Sequence, residues 1–214
     1  MGDTPGNVSA RAVVLAGGRS SRLGGTPKAL FRTNDRAHGR EAEHGSTLVE
    51  HLVGDLLELG LGTQAVVVVG PEDLPRMPTL RTREDPPFSG PAAGIVAGLN
   101  ALDKTQPTPA WTLLLACDMP AVRPAVVALL EAAATCAPED RGIVVIDDGR
   151  LQPLAGIYRT GALREVVRDQ PSVNRSVRSL VGTLWDRELA LSGVTDDVDT
   201  WDDVDRFGLL PPRD

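Results

Sequence analysis

Three continuous apolar runs punctuate the first half of the chain: Ala12-Val13-Val14-Leu15-Ala16, Ala65-Val66-Val67-Val68-Val69 and Trp111-Thr112-Leu113-Leu114-Leu115-Ala116-Cys117. Each stops at a glycine or a carboxylate, at Gly17, Gly70 and Asp118. Unbroken apolar runs, rather than alternating ones, are what strands buried on both faces require, so they predict a mainly parallel sheet. Between the first two runs, Leu48, Leu52, Leu56 and Leu59 recur at three- to four-residue spacing, behind Thr47 and Glu50 at capping-box spacing. That pattern predicts a helix stopped by Gly60. Further helices are expected from about Pro91 to Leu102, and from Pro124, a favoured first-turn residue, to Thr135. Asp148-Gly149 lies between the apolar segments 143–146 and 154–157, which predicts a hairpin. Helical patterns resume around 162–167 and 174–180, and a last short helix should follow Thr200. Strands alternating with helices imply an α/β domain.

Composition narrows the function classes. A chain of 214 residues suits one domain with a full core, and aromatics at 3% leave Val, Leu and Ala to fill it. The net charge of −7 excludes a nucleic-acid surface, which needs clustered Lys and Arg. It does not exclude a small phosphorylated ligand, because carboxylates that capture a divalent cation can hold a triphosphate. Cys117 and Cys136 have neither metal-type spacing nor a pairing framework, which fits thiols in a reducing cytoplasm. The polar start of the chain, Met1 to Ala10, has no export signal, and no apolar run is long enough to span a membrane. A cytoplasmic protein is expected. Residues 32–45 are polar and aperiodic, and are expected to form a mobile surface insert.

The first chemical signal follows the first strand. Gly17, Gly18, Gly24 and Gly25 accompany Arg22 and Lys28 within about a dozen positions. Glycines let backbone approach a ligand and aim N–H groups at phosphate oxygens, while Arg and Lys supply charge. The segment matches neither the P-loop, since Pro27 precedes Lys28 and Ala29 follows it, nor the dinucleotide pattern G-x-G-x-x-G. The second signal is Asp118 at the carboxyl end of the third strand, where open α/β sheets bind ligands. Its alternatives are a metal ligand or a cap for the helix near Pro124. A third, the acidic run Asp196-Asp197-Val198-Asp199-Thr200, reads from composition alone as a solvated turn, with Asp199 or Thr200 as helix cap. Gly90, Gly94 and Gly98 recur every fourth residue and leave one helix face bare for close packing on a strand.

The run Leu15-Ala16-Gly17-Gly18, with Arg22, Leu23, Gly24 and Lys28 after it, resembles the signature loop of the molybdenum cofactor guanylyltransferase family and its nucleotidyltransferase relatives. Cys117-Asp118-Met119-Pro120, the block Glu84-Asp85 followed by Gly90-Pro91-Ala92-Ala93-Gly94, and the 152–158 strand resemble further blocks of that family. The resemblance runs from about Ala12 to Val204 outside the 32–45 insert. This chain differs in having Pro27 where the family usually has Asp, Gln152 for the usual His and Trp201 for the usual Pro.

The resemblance implies a doubly wound, Rossmann-like, mainly parallel sheet with helices on both faces, in one nucleotidyltransferase domain over 1–214. Residues 12–118 would form its nucleotide-binding half and 119–207 its acceptor-binding half. It implies transfer of GMP from GTP to the phosphate of molybdenum-bound molybdopterin, releasing pyrophosphate and forming the guanine dinucleotide cofactor, with Mg²⁺ or Mn²⁺ in its place, alongside transient contact with other molybdenum-cofactor proteins. Leu15, Ala16, Gly17, Gly18 and Asp85 would bind nucleotide. Asp118 would bind nucleotide and metal, with Asp199, or alternatively Asp197, as second metal ligand. Lys28, Asp118 and Arg22 would be catalytic, and Arg175 and Arg178 would meet the acceptor phosphate. The rival readings are a cytidylyltransferase, another nucleotidyltransferase with a different small phosphorylated acceptor, and a non-catalytic nucleotide-binding module. No nucleophilic side chain is required, and His38, His44 and His51 fall outside every block.

Overall fold

The computed structural model describes residues 8–18, 20–33, 45–105, 108–168 and 173–212. Strand β1, Ala10–Leu15, lies between β2, Val66–Val69, and β4, Trp111–Ala116, parallel to both. These are the three apolar runs, and their central residues are buried because both faces of the sheet are covered. A short strand β3, Leu80–Thr82, extends the sheet beyond β2. On the other side β6, Arg150–Arg159, runs antiparallel between β4 and β5, Gly142–Asp147, and β7, Arg187–Leu191, closes the edge parallel to β5. The order is β3-β2-β1-β4-β6-β5-β7, and only β6 opposes the rest. The expected hairpin joins β5 to β6 through Asp148 and Gly149, whose φ values of 47° and 75° are the left-handed pair that a two-residue turn of this kind needs.

Two layers of helix cover the sheet. Helices α1, Leu48–Glu58, and α3, Arg123–Ala134, pack Val49, Leu52, Leu56, Val126 and Leu129 against Val14, Val68 and Leu113. On the opposite face α2, Pro91–Leu102, α4, Thr160–Arg168, and α5, Val177–Val181, pack Ile95, Leu99, Leu163 and Leu180 against Val13, Val67 and Leu114. Period-2 alternation thus sends neighbouring residues of β1 into different cores, and the sheet is doubly wound. Thr47 and Glu50 form the capping box at the start of α1. Gly98 and Gly94 lie where α2 crosses β1: an added Cβ would stand 2.6 Å from a Val13 methyl carbon and 3.1 Å from a Leu15 methyl carbon, respectively.

Strands β3 and β7 lay outside the expected pattern. Both are edge strands, and β7 alternates half-buried with exposed residues, so neither carries the unbroken apolar run that marks the interior strands. A third core cluster, Leu23, Phe31, Leu48, Val198, Val204 and Leu209, ties the glycine-rich turn to the C-terminal segment and its helix α6, Trp201–Arg206. The expected insert falls mostly at 34–44, outside the described residues. No helix among the described residues is long and apolar enough to cross a membrane.

Candidate active site

The chain winds outward from β1 through β2 to β3, then returns to the other side of β1 at β4. That reversal opens a crevice beyond the carboxyl ends of β1 and β4, the switch point where doubly wound sheets bind ligands. Leu15 and Ala116 are register partners there, and the Cys117 N–H donates to the Leu15 carbonyl at 3.0 Å. The glycine-rich turn and Asp118 therefore emerge side by side. Above them lies a cleft of about 1040 Å³.

One wall of the cleft is the turn itself. Leu15, Ala16, Gly17, Gly18, Arg22 and Lys28 all line it. Among the described residues a Cβ added at Gly17 or Gly18 would meet nothing within 4 Å, so packing there does not account for these glycines. They leave bare backbone facing open cleft, the form of a phosphate cradle. Gly24 and Gly25 have φ of 65° and 86° and carry the chain round to Lys28, while buried Leu23 pins the turn in the third core cluster.

The adjoining wall is acidic. Asp118, Asp197 and Asp199 line the cleft, with Thr195 beside them. The Val198 N–H donates to the Asp118 backbone carbonyl at 2.9 Å, which docks the C-terminal segment against the end of β4. Lys28 Nζ sits between the carboxylates, 2.9 Å from Asp118 Oδ2 and also hydrogen-bonded to Asp199 Oδ1, while Arg22 Nη1 donates to Asp199 Oδ2 at 2.6 Å. Four of the expected site residues thus converge on one point. Burial opposes the Lys28 charge, but Asp118 and Asp199 outweigh it and hold the ammonium above its usual range. Burial, reinforced by the charges of Asp118 and Asp199, pushes the Asp197 carboxyl up, with Lys28 partly offsetting it.

Both cap alternatives are resolved. Helix α3 has no side-chain cap, and the Asp118 carboxylate turns to Lys28 instead. Helix α6 is capped by Thr200 with Asp203 in a capping box, which leaves the Asp199 side chain to the cleft. The Cys117 thiol is buried, and burial raises its pKa, so it remains a protonated core group rather than a nucleophile.

Three expected contacts are placed elsewhere. Asp85 is exposed, and Arg83 and Glu84 line the cleft in its stead. The pattern around 84–94 located the loop, but only its backbone path decides which neighbour faces inward. Arg175 is folded back onto Ser179, donating to its hydroxyl at 3.0 Å and its carbonyl at 2.6 Å, and exposed Arg178 does not line the cleft either. Sequence reading passed over Asp73, Phe88 and Thr195 as cleft residues, because nothing in their immediate neighbours announces them. Gln152 and Leu154 of β6 complete the far side. His51 stays on α1, 3.8 Å from Asp55.

The switch-point crevice, bare glycine backbone and clustered Lys, Arg and Asp define a nucleotidyltransferase. Residues 12–188 match the family model described as the MobA-like NTP transferase domain. A probable molybdenum cofactor guanylyltransferase of Bacillus mycoides (strain KBAB4) is 30% identical over 177 residues, spanning 79% of this chain and 78% of that protein. The chain therefore belongs to the MobA-like NTP transferase family, alongside the molybdenum cofactor guanylyltransferases. The fold is shared with Rv0371c of Mycobacterium tuberculosis H37Rv (24% identity, TM-score 0.64, 93% of this chain and 97% of that one). It is shared equally with the manganese complex of that protein (23% identity, TM-score 0.62, 94% and 98%).

Proposed function

We propose that this enzyme transfers GMP from GTP to the terminal phosphate of molybdopterin, forming the guanine dinucleotide of the molybdenum cofactor and releasing pyrophosphate. The observation that carries the reading is the meeting of Lys28, Asp118, Asp199 and Arg22 in the same cleft as the bare Gly17-Gly18 backbone. Kinship with the guanylyltransferases supports GTP as donor and the pterin as acceptor.

Among the described residues no group of three or more His, Cys, Asp or Glu side chains gathers in a form that could hold a metal by itself. That suits Mg²⁺, which takes one or two carboxylates and completes its shell with water and substrate phosphates. Asp118 and Asp199 are hard oxygen donors on the phosphate side of the cleft and would hold Mg²⁺, or Mn²⁺ in its place. The ion would supply neutralisation of triphosphate charge. Asp197, whose carboxyl is pushed up by burial and by the same two charges, would gain from any cation placed among them.

The residues of the chain position and neutralise, as phosphoryl transfers require. Backbone N–H groups of the 15–18 turn orient the nucleotide. Lys28, kept protonated by its carboxylate neighbours, stabilises charge on the α-phosphoryl oxygens, and Arg22 stabilises the departing pyrophosphate. An oxygen of the acceptor phosphate attacks the α-phosphorus as the bond to the bridging oxygen of pyrophosphate breaks. Gln152, Leu154 and Thr195 also line the cleft and belong to the 119–207 stretch, which would receive the acceptor. The cytoplasm, which keeps thiols such as Cys117 and Cys136 reduced, is the compartment proposed.

Pyrophosphate release with GTP, CTP, ATP or UTP in the presence of molybdopterin and Mg²⁺ tests this reading. GTP should give the fastest release, and release should require the acceptor. Faster release with CTP would replace the guanylyl assignment by a cytidylyl one, and no release with any nucleotide would favour a binding module.

A further inference from the structure

The segment that carries Asp197 and Asp199 has no regular secondary structure between β7 and α6, yet its side chains must reach the cleft accurately. Its C-terminal end is fixed by the capping box of α6, and its middle by the Val198–Asp118 backbone bond. Its N-terminal end is held by two consecutive aspartates of the β5–β6 hairpin: exposed Asp148, whose Oδ1 accepts the Ser192 hydroxyl at 3.3 Å, and buried Asp147, which takes the larger share. Asp147, the last residue of β5, is 4% exposed. Its Oδ1 accepts the Gly193 N–H at 2.8 Å, and its Oδ2 accepts the Val194 N–H at 3.0 Å and the Thr195 N–H and hydroxyl at 2.8 Å each.

Three consecutive amides and one hydroxyl therefore converge on one buried carboxylate. No cation among the described residues is paired with it, so these donors alone offset the cost of burying its charge. Consecutive N–H groups point the same way only when the backbone folds into a concave nest, and Gly193 supplies the left-handed residue, with φ of 67°, that such a nest uses. Thr195, the third donor, already lines the cleft, and Asp197 follows two residues later. An aspartate at 147 thus dictates the path by which the chain enters the acidic wall.

We propose that Asp147, itself outside the cleft, is a positioning residue for the nucleotidyl transfer. Its carboxylate clamps the 193–195 turn and so sets Asp197 and Asp199 against Lys28 and Asp118. The proposal rests on the reading of Asp118 and Asp199 as the metal- and phosphate-facing carboxylates. Residues that orient metal-binding carboxylates from behind affect metal affinity or turnover by roughly 10- to 100-fold when altered.

Asp147→Asn tests it most sharply, because the side-chain amide would turn a donor toward backbone donors or leave one of them unpaired. Thr195→Val is the milder companion, removing only the hydroxyl bond and keeping the three amides. Three quantities are read on the full-length protein after circular dichroism and thermal melting confirm folding: Mn²⁺ affinity by electron paramagnetic resonance in the presence of GTP, GTP affinity without metal, and kcat. In Asp147→Asn, Mn²⁺ affinity and kcat should each fall by about 10-fold or more, while metal-free GTP affinity stays at the wild-type value. Thr195→Val should show the same selective pattern more weakly. Wild-type Mn²⁺ affinity and kcat in a folded Asp147→Asn protein would overturn the proposal, as would an equal fall in metal-free GTP affinity, which would mark a general loss of structure. Asp118→Asn, run alongside, separates the levels. If it also binds Mn²⁺ normally, the metal-site reading fails and takes the role of Asp147 with it. If it loses Mn²⁺ and Asp147→Asn does not, only the role of Asp147 fails.

Discussion

Lys28 occupies the centre of the site, shared between Asp118 and Asp199. In the proposed transfer its ammonium would matter most when charge builds on the α-phosphoryl oxygens, so Lys28→Ala should reduce kcat by roughly a hundredfold or more and weaken GTP binding much less. Single-turnover rates against equilibrium GTP affinity check this; near-normal turnover would move the key cation to Arg22. Asp199→Asn is informative because Thr200, not Asp199, caps α6. A cap role would make the substitution silent, since Asn caps as well as Asp. Loss of the Arg22 and Lys28 partners should instead reduce turnover by at least about tenfold, with thermal stability nearly unchanged. The placement of Lys28, Arg22 and Asp118 at one cleft was legible in the sequence because each follows the end of a buried strand. Asp85 shows where legibility stops: the loop was identified, yet the residue lining the cleft is its neighbour Glu84.

At the scale of elements, the interior strands and the helices were legible because two-sided burial and helical periodicity both leave patterns in sequence. The edge strands β3 and β7 leave none, being short or half-exposed. The glycine stripe of α2 was legible as packing, and its consequence is measurable. Gly98→Ala would place a Cβ 2.6 Å from one Val13 methyl carbon and 3.0 Å from a Val69 methyl carbon, inside the core beneath the site. Overpacking of about 1–3 kcal/mol should outweigh the gain in helix propensity of about 1 kcal/mol, so urea denaturation should register a net loss. The clamp between β5 and the 193–195 turn has a pH signature. Burial opposes the Asp147 charge, but the Thr195 hydroxyl and the three amides prevail and hold its carboxyl below the usual range. A folded pKa below the unfolded value near 3.9 means that the clamp contributes fully above that value and is lost as the pH falls through the folded one. Melting temperatures taken from pH about 6 to 3 should therefore decline on an acid limb that is shallower in Asp147→Asn. Equal limbs would show that the carboxylate is not ionised in the fold.

For the whole molecule, the decisive relation is between elements far apart in sequence. The order β3-β2-β1-β4-β6-β5-β7 puts the switch point at β1 and β4, and the third core cluster draws the C-terminal segment over it. Residues 22, 28, 118 and 199 meet as a result. The sequence pattern anticipated the interior strands and a mainly parallel sheet, whereas the meeting of Asp199 with Lys28 depends on Leu23, Phe31, Val198 and Val204 sharing one small core, which no local pattern announces. The central claim, that this meeting point binds metal-loaded triphosphate, is tested most directly by calorimetric GTP affinity with and without Mg²⁺ in the wild type and in Asp118→Asn. The substitution keeps the shape of the side chain and removes its charge, so the fold should persist. Mg²⁺ should tighten GTP binding in the wild type and fail to do so in the variant. Equal tightening in both proteins would contradict the account.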